Sequence, residues 1–169
     1  ASIFVHLNGL EKINGKFEAP DFNVREAATP CALFSYLVHI IRDFQKDQLN
    51  NLNYFAGDMM EKHKLSRQDL REISRGRPVN DNFRNMIREY YKLADYYRRK
   101  TSEAIKRICP LLEPRYQLSL EIIFDLYLMV FERIDIENGT FKSEELNPCT
   151  VEIQQRVYET ILKFTSDKK

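Results

Sequence analysis

Glycine is scarce in this chain of 169 residues, numbering 5, and it never falls into a G-x-G-x-x-G run, a Walker sequence or a G-x-S-x-G elbow. Dinucleotide binding on a Rossmann unit, P-loop chemistry and α/β-hydrolase catalysis are therefore unsupported. Cysteine is scarce as well. Cys31, Cys109 and Cys149 are odd in number and lack C-x-x-C spacing, which points to reduced thiols rather than a disulfide framework or a zinc site. Long apolar runs are missing: residues 31–41 are too few to span a bilayer, and the stretch 118–131 carries Glu121 and Asp125, so no transmembrane segment is expected. An excess of one charge is missing too, because 26 basic and 25 acidic residues leave a net +1, which argues against a nucleic-acid partner.

What is present is an ordinary globular mixture, 43% hydrophobic and 30% charged, of a length that suits one domain over residues 1–169. Nine Tyr and eleven Phe against so few glycines favour long aromatic-lined helices, so the fold class reads as all-α with about six to seven helices. The chain opens at Ala1 in apolar sequence without a basic leader, which shows no signal peptide and reads as the interior of a larger protein. Residues 1–10 read as the end of a helix closed at Asn8-Gly9, and Asn14-Gly15 through Pro20-Asp21 as a connecting loop. A helix then spans about 24–50, bent or restarted at Pro30. Shorter helices follow over about 55–64 and from Ser66, where Asp69 three residues on suggests a capping box. Long helices cover about 80–109 and 115–137, and a last one runs from the Pro148-Cys-Thr150 turn to about Phe164.

Within 24–50, the apolar arc of Leu33, Phe34, Leu37, Ile40, Ile41 and Phe44 has a polar edge formed by Tyr36, His39, Asp43 and Asp47, with Arg42 and Lys46 on the other side. His39, Asp43 and Asp47 stand four residues apart and so stack along one helical face. The two carboxylates repel, and neither has a base four positions C-terminal to it, so another group must neutralise them. Solvent is one answer. A magnesium ion is the other, since it binds one or two carboxylates together with substrate phosphate oxygens. His39 reads as a ligand, a diphosphate hydrogen-bond donor or a half-buried polar residue with a backbone partner. The mixture of bases and tyrosines over residues 88–100 is interrupted by Glu89 and Asp95, and reads as core plus solvated face rather than a stacking platform.

The run Ile40-Ile-Arg-Asp-Phe-Gln-Lys-Asp47, followed by Asn53-Tyr-Phe-Ala-Gly-Asp58 and Lys64-Leu-Ser66, resembles the second aspartate-rich region of the squalene/phytoene synthase family in order and spacing. Tyr90-Tyr-Lys-Leu-Ala-Asp-Tyr-Tyr97 and Leu126-Tyr-Leu-Met-Val-Phe-Glu-Arg-Ile134 are similar to that family's later helices, so the resemblance covers about residues 30–136. It implies the C-terminal portion of an isoprenoid synthase-type helical bundle and a prenyltransferase that joins two prenyl diphosphates, farnesyl or geranylgeranyl, head to head in an apolar cavity. By the same resemblance Asp43 and Asp47 would hold Mg2+ and carry the catalysis. Arg42, His39 and Tyr36 would bind substrate near its diphosphate, and Tyr127 would line the prenyl pocket. NADPH would be needed if squalene forms. The reduced thiols suit a cytoplasmic protein, and a lipid product would allow association with the membrane periphery.

Three departures from the family pattern stand out. Its Gln-x-x-Asn is Tyr36-Leu-Val-His39 here, its penultimate acid is Lys46, and its later basic segment is replaced by Thr140-Phe-Lys-Ser-Glu-Glu-Leu-Asn147. Nothing resembling the family's first aspartate-rich helix occurs in residues 1–21. The implied partner is therefore the N-terminal half of the same domain, and the chain alone is expected to be inactive. The alternative is a non-catalytic, synthase-like helical module for binding or assembly.

Overall fold

The computed structural model describes residues 5–7 and 9–166, leaving aside the side chains of 11–13. Residues 5–7 are helical, and the Gly9 N–H closes onto the Val5 carbonyl at 3.1 Å. The expected closing residue Asn8 and the start of that helix lie outside the described residues. The stretch expected as a loop is instead a hairpin, β1 (Glu11–Ile13) paired antiparallel with β2 (Lys16–Glu18), with Ile13 opposite Lys16. Its two-residue turn has φ of 50° at Asn14 and 83° at Gly15. Asn-Gly with both residues at positive φ is the turn whose twist matches paired strands.

All else of length is helical. α1 (Val24–Arg42) starts at Asn23, whose side chain accepts the Glu26 N–H at 3.1 Å, and it runs on through Pro30 without restarting. The lost backbone donor at Pro30 is tolerated because Ala27, Ala28, Phe34, Leu37, Val38 and Ile41 are all buried along this helix. The interruption comes at Asp43 (φ −89°, ψ 2°), after which α2 (Phe44–Leu49) begins. α3 (Gly57–Lys62) and α4 (Arg67–Ser74) follow, then α5 (Asp81–Ile108), capped by the Asn80 side chain on the Phe83 N–H. A 3₁₀ turn (Cys109–Leu111) leads into α6 (Pro114–Phe131), which stops six residues before its expected end. There the Asp135 carboxylate accepts the Glu137 and Asn138 N–H groups and turns the chain. α7 (Ser143–Leu146) was not expected, and α8 (Thr150–Ser166) was. Eight helices are thus bounded among the described residues, more than six to seven, because the long element expected over 24–50 is split at Asp43 and a short one is added.

The main core forms where α1 lies along α5 and under α6. Fully buried Phe34 meets Phe124, Tyr127 and Phe131 of α6 with ring centroids 5.8, 6.5 and 5.7 Å away. Farther along, Phe44 packs on Phe83 at 4.8 Å, and Phe83 in turn on Phe141 at 5.4 Å. A smaller cluster of Val5, Ala27, Ala28, Ile108, Leu112 and Leu120 closes the opposite end of α1. Among the described residues no helix is long and apolar enough to cross a membrane.

Two measurements probe these forces. Phe34→Ala removes a ring with contacts on three aromatics and should lower the free energy of unfolding by about 3–5 kcal/mol in urea titrations. At the start of α4, Ser66 and Asp69 cap reciprocally, and hydrogen bonds from the Ser66 hydroxyl and then Arg77 hold the Asp69 carboxyl at about 2. A folded value below the unfolded one of about 3.9 means that this stabilisation is present above about pH 4 and is lost as pH falls through 2. Asp69→Asn should flatten that part of the stability–pH curve and cost about 1 kcal/mol at neutral pH.

Candidate functional site

The acid-bearing face is built by the end of α1 and the whole of α2. Because α1 buries Phe34, Leu37, Val38 and Ile41, helical periodicity leaves Tyr36, His39 and Asp43 at the rim of the buried arc. α2 is too short to hold itself, and two glutamines anchor it. The Gln45 amide donates to the Ser74 carbonyl at 3.1 Å and accepts the Ser143 N–H at 2.8 Å, tying α2 to α4 and α7. Buried Gln48 donates to the Leu52 carbonyl and to Asn53 Oδ1, and the Leu52 N–H returns to the Asp47 carbonyl at 2.8 Å. Asp47 is therefore presented from a braced turn. Gln45 and Gln48 stand three residues apart on either side of Asp47, a spacing already visible in the chain.

Arg42 does not lie on the far side from the acids: its Nε donates to Asp43 Oδ1 and its Nη2 to Asp43 Oδ2, each at 2.8 Å. Neighbouring residues on a regular helix do not face each other, and this pair forms where the backbone leaves helical values. Asp43 therefore has a neutralising partner within the chain. Lys46 is exposed and acts on both acids through its charge.

The two carboxyls consequently differ. The hydrogen bond from Arg42 holds Asp43 below the usual carboxylate range, against the effect of its partial burial. Desolvation, and then the Asp43 charge, push Asp47 above that range. Burial, followed by the Arg42 charge, lowers the His39 imidazole below its ordinary value and favours the neutral ring at pH 7. That ring tilts over Tyr127 at 5.4 Å between centroids, so α6 contributes to the site through Tyr127.

His39, Arg42, Asp43, Asp47 and Tyr127 thus form one mutually interacting group. Tyr36, one turn earlier, is 53% exposed, and Tyr90 of α5 accepts the Ala56 N–H through its hydroxyl at 2.9 Å. The aromatics behind the site pack on one another as core. A cleft of about 420 Å³ does open between α5, α6 and α8, but it is lined by residues such as Lys106, Phe124, Asp125 and Arg156 and by none of the six candidates.

Among the described residues no three His, Cys, Asp or Glu side chains converge as a metal cluster. The donor set that exists, two hard carboxylates with one partly open, fits a magnesium ion that completes its shell with water and phosphate oxygens, and does not fit a metal caged by protein alone. Carboxyl titration by NMR should find Asp43 below and Asp47 above the ordinary range. Arg42→Gln should raise Asp43, since the guanidinium is the cause of its depression.

The sequence model of the squalene/phytoene synthase family matches residues 15–151. No curated protein matches the chain.

Proposed function

The chain belongs to the squalene/phytoene synthase family, with its all-α isoprenoid synthase-type fold, and from that premise we propose that it is a prenyltransferase segment whose Asp43–Asp47 face binds a prenyl diphosphate through Mg2+. The observation that carries this reading is the group formed by His39, Arg42, Asp43, Asp47 and Tyr127, two carboxylates and a guanidinium beside an aromatic wall. The metal, when bound, would neutralise the leaving diphosphate. Asp43 and Asp47 would hold it, Arg42 would offer its fork to phosphate oxygens, and neutral His39 would orient the diphosphate in place of the family's asparagine. Tyr127 and the aromatics behind it would keep water from an allylic cation. The reaction is head-to-head condensation of two farnesyl or geranylgeranyl diphosphates, with NADPH required where squalene is the product. This chain supplies one aspartate-rich face, and condensation requires the facing one. A lipid product would draw the protein to the membrane periphery.

The test measures diphosphate release from farnesyl and geranylgeranyl diphosphate by a protein carrying both faces. Release should depend on Mg2+ and fall at least a hundredfold in Asp43→Asn and in Asp47→Asn. Absence of turnover, with substrate-analogue binding unchanged in both variants, would defeat the catalytic assignment and leave a helical binding module.

A further inference from the structure

We propose that Arg42 is a ligand-switched positioning residue: it clamps Asp43 while the site is empty and transfers its fork to the diphosphate, so that metal and diphosphate load together rather than metal first. The proposal rests on the reading of Asp43 and Asp47 as a diphosphate–metal face.

Three observations carry it. Both Asp43 oxygens are already engaged, at 2.8 Å each, by the two nitrogens of one guanidinium. Magnesium demands near-ideal octahedral oxygen geometry at about 2.0–2.1 Å and gives up water reluctantly, so a carboxylate held in a planar fork is a poor first ligand. Charge is the second observation. Arg42 and Lys46 formally balance Asp43 and Asp47, and a lone dication therefore meets no net attraction from this face. A diphosphate alters that balance by bringing its own negative charge.

Third, the clamp is built to exchange. The side chains of Arg42 and Asp43 remain 24% and 25% exposed, so the pair can open without disturbing the core. A guanidinium fork matches phosphate oxygens as well as carboxylate oxygens, so the released Arg42 trades one planar bidentate partner for another. The pair also sits at the break between α1 and α2, where the backbone has already left regular helix at Asp43. As Arg42 departs, Asp43 is freed for the metal and the diphosphate is held beside it. Loss of Arg42 should therefore act in opposite directions on metal alone and on metal with diphosphate.

Mn2+ as a paramagnetic stand-in, titrated into the full chain with and without inorganic diphosphate and followed by EPR, tests this. The unaltered chain should bind Mn2+ weakly alone and much more tightly with diphosphate. Arg42→Gln should bind Mn2+ alone about tenfold more tightly, a difference of about 1.4 kcal/mol, while the enhancement by diphosphate shrinks about a hundredfold, so that binding with diphosphate weakens about tenfold. Arg42→Lys keeps the charge and the aliphatic stem but lacks the fork, so it should fall between the two, and it carries the test should the glutamine variant misfold. Unchanged or weaker Mn2+ binding alone in these variants, or an intact diphosphate enhancement, overturns the switch. Failure of the underlying reading has a different signature: Asp43→Asn and Asp47→Asn would bind Mn2+ as the unaltered chain does under both conditions. Absence of diphosphate-dependent Mn2+ binding by the unaltered chain overturns both.

Discussion

The burial of Phe34 against Phe124, Tyr127 and Phe131 is the contact on which the arrangement of the site depends. It fixes the rotation of α1 about its own axis, because a helix that buries one stripe has no freedom left for the opposite one. With Phe34, Leu37, Val38 and Ile41 inward, His39 and Asp43 must stand at the rim, and Tyr127 must come from α6 to meet the imidazole. The same α1–α6 packing lets α2 follow as a short appendage, stabilised by Gln45 and Gln48 rather than by its own length.

On that frame, two aspartates one helical turn apart acquire different characters. Asp43 is held by a guanidinium and stays ionised readily, while Asp47 lacks that clamp and resists ionisation through desolvation and its neighbour's charge. The asymmetry leaves one acid held by its neighbour and the other partly open. It also explains why Lys46, a departure from the family's acid, leaves the pair intact: it stands exposed and acts on both carboxylates through space.

Much of this was legible along the chain. The capping pair Ser66 and Asp69 and the apolar arc of α1 are local patterns, and they formed as expected. The Asn14-Gly15 hairpin is equally local, because Asn-Gly supplies the two positive-φ residues that the turn between strands requires. The break at Asp43 was not legible, because Pro30 carries the stronger local breaking signal and the packing of Phe34 and its neighbours overrides it. Nor was the early end of α6, which depends on the Asp135 side chain bonding the backbone two and three residues on.

By itself, the sequence determined the helical class, the family and the placement of His39, Asp43 and Asp47 on one face, because periodicity and motif spacing are properties of the chain alone. Only the tertiary structure decided which charges meet. Whether Arg42 opposes or neutralises Asp43 turns on a backbone departure of one residue. Whether His39 meets solvent or Tyr127 turns on how α6 crosses α1, and neither is encoded in spacing along a helix.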